Sequence, residues 1–217
     1  MPEQLTQKID QPKIAYAEPV SVSKFEGSEI AEASHLWEKY RGVAQGEGRL
    51  VSGGKVYSDG FSDCVAFTLK DPQTKLGGLF HISDIDFETS HQKLLKEFFL
   101  GWLDTVRVSP EEKEKLAKAI SDVCCYDYPE TMKREDIAPR LRELGIGRIC
   151  TQAFSGDSGR YLVGNRLRES MFDFLGVTLP QTKIFKDYRH CWSILADFDN
   201  DTVKIGVNKD EVLEYPM

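Results

Sequence analysis

The chain is predicted to fold as a layered α/β (α+β) protein: a mixed or antiparallel β-sheet sandwich flanked by helices. Three observations carry this expectation. Residues 49–82 show the Val, Phe, Thr and Ile content of strands; residues 90–147 switch to a helical period; and residues 148–207 return to strands around one more helical stretch. Because strands occur both across short turns and on either side of helices, a layered mixed architecture is favoured over a purely parallel sheet.

Residues 1–27, polar and with three prolines, read as an extended or disordered arm. The domain is expected from 28 to 217, with a helical insertion at about 88–147. It opens on "SEIAEASHLWEKYRG", where Ser28 is a helix N-cap, Ile30, Ala33, Leu36, Trp37 and Tyr40 form an apolar stripe, and Gly42 is the stop. The strands "RLVSGGKVYS", "CVAFTLKD" and "KLGGLFHIS" follow, separated by Gly53-Gly54 and by the turn "DPQTK". Helices are expected at "SHQKLLKEFFLGWLDTV", at "SPEEKEKLAKAISDVCC" with Ser109 as cap and Pro110 at the first helical position, and at "KREDIAPRLRELG". Then come a strand at "RICTQAF", a glycine-rich turn, a helix "NRLRESMFDFLG", and strands around "TKIFKD", "HCWSILADFD" and "DTVKIGVN". Trp37, Trp102 and Trp192 are expected as core anchors, and His91, at a helix start, as exposed.

Composition narrows the function classes. With 217 residues and 41% hydrophobic content the chain can bury one sizeable core. No apolar run approaches the roughly 20 residues that span a bilayer. The N-terminus lacks the basic and apolar regions of a secretory signal, so the expected compartment is the cytoplasm, with delivery into another cell by a signal-independent route as the alternative. A formal charge of −7 without a Lys/Arg cluster argues against nucleic acid as a partner. Five cysteines without a C-x-x-C pair or zinc spacing suggest reduced thiols, with neither a disulfide framework nor a structural metal. No metal or organic cofactor is expected, and the oligomeric state is not indicated.

The chemistry-bearing stretch is "SDGFSDCVAFTLKDPQTKLGGLFHI". A hairpin through "DPQTK" puts Cys64, at the start of one strand, and His81, at the end of the next, near the same end of neighbouring strands. A thiol beside an imidazole is a nucleophile with its base. Ser58, six residues before Cys64, is a hydroxyl able to orient the ring, and Gly60 allows a turn that presents backbone N–H groups to an oxyanion. From spacing alone the pair is more readily two core residues of a sheet, since a strand Cys and a strand His are commonly that.

The same stretch resembles the signature of the chemotaxis receptor glutamine deamidases, the CheD family. The match runs without a gap from Cys64 through Asp71-Pro72 and Gly77-Gly78 to His81, and a weaker likeness covers residues 148–207. The resemblance implies a sheet packed on helices, a fold and Cys-His site shared with glutamine-deamidating toxins of the cytotoxic necrotizing factor type. It also implies Cys64 as nucleophile, His81 as base and Ser58 at the family's threonine position. The implied activity converts a glutamine side chain of a protein substrate to glutamate through a cysteine thioester. The chain departs from the pattern at Asp63, directly before Cys64, at Ser58, and in its extra N-terminal and helical segments. Two other readings stand beside it: a Cys-His hydrolase or transamidase acting on another amide or ester, and a catalytically silent protein-binding module on the same fold.

Overall fold

The computed structural model describes residues 18–62, 64–82, 89–124, 137–156, 175, 177, 181–184 and 191–217. Where local chemistry is strongest, element and expectation coincide. Helix α3 (Pro110–Val123) starts where Ser109 Oγ accepts the Glu112 N–H at 3.2 Å, with Pro110 in the first turn, and it buries Leu116, Ala119, Ile120 and Val123 along one face. Strands β4 (Val65–Lys70) and β5 (Leu76–Ile82) form an antiparallel hairpin. The Asp71 carboxylate closes their turn by accepting from Gln73 N and Thr74 Oγ1.

The described strands make two five-stranded sheets. The first has the order β1 (Ser21–Lys24), β10 (Glu211–Pro216), β9 (Thr202–Val207), β8 (Trp192–Asp197), β3 (Lys55–Phe61) and is antiparallel throughout. The second has the order β2 (Gly48–Ser52), β5, β4, β6 (Cys150–Ser155), β7 (Gln181–Ile184), with only β6 and β7 parallel. The architecture is thus α+β with mixed and antiparallel sheets. Gly53 and Gly54, both near φ +80°, carry the chain from β2 in one sheet to β3 in the other.

Side-chain alternation sorts the molecule into layers. Val65, Phe67, Leu69, Phe80 and Ile82 point to one face of the second sheet and meet α2 (Thr89–Asp104), α3 and α4 (Ile137–Glu143) through Leu95, Phe98, Trp102, Ile120 and Leu141. The opposite face presents Cys64, Ala66 and Leu79 to Val56, Phe61, Trp192, Ile194 and Ile205 of the first sheet, forming a shared inner core. The outer face of the first sheet packs Tyr57, Leu195 and Val212 on Ile30 and Ala33 of α1 (Glu29–His35). Full burial of each such aromatic or aliphatic side chain contributes about 1.5–3 kcal/mol relative to exposure. The described helices between β5 and β6 therefore form a core layer. No described helix is long and apolar enough to cross a membrane.

Several expectations are revised. Helix α1 stops at His35 instead of running to Gly42, because the chain folds back until Gly42 N donates to the Trp37 carbonyl at 3.0 Å. A Cβ on Gly42 would lie 2.0 Å from the Trp37 ring, so any side chain there would force the indole out of its place. Trp37 is half-buried, whereas Trp102 and Trp192 are fully buried. His91 is buried, not exposed. Strands β1 and β10 were not expected; β1 lies within the stretch read as an arm. The expected helix at 165–176 and the turn preceding it fall outside the described residues apart from single positions.

Candidate active site

The inner layer between the sheets ends, on the side where β3 and β5 finish, in the three residues singled out from the sequence. In the β4–β5 register His81 lies opposite Ala66. Cys64, two residues before Ala66 and directly before β4, shares Ala66's inner face and is therefore the diagonal neighbour of His81. Ser58 approaches from the facing sheet. Its Oγ lies 3.0 Å from His81 Nδ1 and donates to the Val43 carbonyl at 2.6 Å. All three are buried, with exposures of 0% for Ser58, 1% for His81 and 6% for Cys64.

A β-bulge makes this approach possible. Ser58 pairs with Ile194 and Phe61 with Trp192, so β3 spends three steps where β8 spends two. The extra residue is absorbed at Asp59-Gly60, both exposed, with Gly60 at φ +74°. Without the bulge, Ser58 and Phe61 would face opposite sides of the sheet; with it, both turn inward and both are fully buried. The expected role of Gly60 as a chain-bending residue thus takes the form of a bulge inside a continuing strand.

The hydrogen bonds assign the imidazole tautomer. The Ser58 hydroxyl proton is committed to Val43 O, so Ser58 Oγ can only accept, and His81 Nδ1 must donate. Nε2 is then the bare, basic nitrogen. Among the described residues it has no hydrogen-bond partner, although it is buried. Burial, with a smaller contribution from the charge of His91, lowers the His81 pKa from 6.5 to about 4, so the ring is neutral at pH 7. A charged imidazolium at rest is therefore disfavoured.

The sequence reading missed what surrounds the ring. Phe61 stacks on His81 with centroids 3.6 Å apart and planes 16° from parallel, and Trp192 stacks on the other face of Phe61 at 4.2 Å and 17°. An inward aromatic in a strand carries no signal beyond "core", and only Gly60 hints that Phe61 shares a face with Ser58. The backbone of His81 is pinned as well. Its N–H donates to Glu47 O at 2.9 Å, and the same carbonyl accepts from His91 Nε2 at 3.0 Å.

Asp63, the departure beside Cys64, lies outside the described residues, as do His190 and most of the "SGDSGR" turn. Cys150 and Cys191 are exposed, and Cys124 is buried in the helix-side core. Among the described residues no group of three His, Cys, Asp or Glu side chains is placed to hold a metal ion. No protein-family model matches the chain, and no curated protein matches it in sequence.

Proposed function

We propose that the chain is a cysteine-dependent protein-glutamine deamidase, in which Cys64 is the nucleophile, His81 the general base and acid, and Ser58 the residue that orients the imidazole. The observation that carries this reading is the Ser58–His81 contact between the two sheets, which leaves Nε2 without a hydrogen-bond partner among the described residues, on the inner face shared with Cys64. An imidazole serving only as core filler would be expected to have both nitrogens satisfied.

In the proposed reaction the Cys64 thiol passes its proton to His81 Nε2 as the sulfur attacks the carboxamide carbon of a glutamine side chain. The C–N bond breaks, the imidazolium returns the proton to the departing nitrogen, and ammonia leaves a thioester on Cys64. Water, deprotonated by the same nitrogen, hydrolyses the thioester and restores the thiol. The product is glutamate, one negative charge in place of a neutral amide on the partner protein. A low imidazole pKa suits the final proton return, because the imidazolium is a strong acid.

A second reading, a silent binding module, is supported by the burial of Cys64, which leaves the sulfur little open surface. Ammonia release from glutamine-containing protein extracts separates the two. Wild type is expected to release ammonia and add about one dalton to its target. Cys64→Ala should lose at least about a thousandfold in rate, and Ser58→Ala about tenfold. Equal release by wild type and Cys64→Ala would remove the enzyme reading.

A further inference from the structure

We infer that Phe61 is the positioning residue for His81: its ring, backed by the Trp192 indole, sets the plane of the imidazole and thereby the direction of Nε2. This rests on the deamidase reading for its catalytic meaning, but the ring-holding itself is a property of the fold.

The hydrogen bond from Nδ1 to Ser58 Oγ fixes one edge of the imidazole at 3.0 Å and leaves the ring able to tilt about that axis. A flat neighbour stops the tilt. Phe61 lies over the imidazole at 3.6 Å and 16°, and Phe61 in turn cannot rotate away because Trp192 closes its other face at 4.2 Å and 17°. All three rings are buried at 0–2% exposure. The bulge at Asp59-Gly60 is what brings edge contact and face contact from one strand, because it turns Ser58 and Phe61 to the same side. Phe61 thus acts through His81. An aliphatic side chain of similar volume would fill the space but present no plane.

The test uses the intact protein and two readouts. The first is the 15N signature of the His81 ring, expected in wild type as a single Nδ1–H tautomer. The second is the rate at which iodoacetamide alkylates Cys64, read against His81→Ala. Phe61→Met keeps apolar bulk and should broaden the His81 signals or mix the tautomers. It should also slow alkylation about tenfold, with no further loss when combined with His81→Ala. Phe61→Tyr retains a plane and should restore the single tautomer and most of the rate. A Phe61→Met protein with a sharp, single Nδ1–H tautomer and wild-type alkylation overturns the inference. If the tautomer changes as expected but His81→Ala leaves wild-type alkylation untouched, Phe61 still holds the ring and it is the deamidase reading that fails. Far-ultraviolet circular dichroism identifies any variant that has not folded, and Phe61→Leu then replaces it with the same expectations.

Discussion

Lys70 and His81 are both buried, both reach the inner layer from the β4–β5 hairpin, and end in opposite states. Lys70 closes one end of the layer, where its ammonium donates to the Phe198 carbonyl and pairs with Asp201 Oδ1, whose side chain is 65% exposed. His81 closes the other, where one nitrogen is held by Ser58 and the other faces the interior without a partner among the described residues. A buried polar group that is fully satisfied can be explained by stability alone, whereas one left open is a cost the fold carries for another reason. The contrast is sharper because the opposite face of the same hairpin is wholly apolar, with Val65, Phe67, Leu69, Phe80 and Ile82 against the helices.

The largest effect that bears on this contrast is the pH dependence of stability. His81 stays neutral in the fold down to about pH 4, while the unfolded chain takes up a proton below about pH 6.5. The unfolded state binds more protons in that window, so stability is fullest above it and falls as pH drops through it, by up to about 3 kcal/mol. Urea unfolding at several pH values should show this decline, and His81→Asn should flatten it. A difference curve without slope between pH 6.5 and 4 would mean that His81 is not buried neutral.

Lys70 offers the intermediate effect. Lys70→Ala strips the Phe198 carbonyl and Asp201 of their donor and leaves space in the inner layer, at a cost of about 2 kcal/mol in unfolding free energy. Alkylation of Cys64 should not change, since Lys70 sits at the far end of the layer. A parallel loss of thiol reactivity would show that the two ends are coupled, and the comparison would fail.

The smallest effect is expected at the bulge. A methyl group on Gly60 meets nothing within 4 Å, so Gly60→Ala costs only the strain of a left-handed φ, about 1 kcal/mol. The informative readout is again the His81 tautomer, because a bulge that relaxes would swing Ser58 and Phe61 out of register together.

What the sequence made legible follows the range of the forces involved. The α3 cap at Ser109-Pro110 and the β4–β5 turn at Asp71-Pro72 depend on residues close in the chain, and both were readable. Edge strand β1 was not, since Ser21–Lys24 is exposed throughout and becomes a strand only by pairing with Glu211–Pro216. Cys64 and His81 could be read as diagonal neighbours because a local hairpin relates them. The Ser58 contact, though expected, runs between sheets and has the tertiary packing as its cause. Phe61 escaped notice because the bulge reverses the strand parity on which its facing would be judged. His91 was misjudged because its partners, the Glu47 carbonyl and the Phe80 ring, belong to another layer.

The placement of Ser58 has a consequence for the newly made chain. Among the described strands β3 pairs with β8, where Ser58 meets Ile194, so the sheet that carries the hydroxyl to the imidazole is assembled only after residues 192–197 have been made. Until the two sheets dock, the imidazole of His81 lacks the Ser58 hydroxyl that accepts its Nδ1 proton. On the proposed reading of the site, the docking that completes the inner layer is also the event that fixes the tautomer of the base.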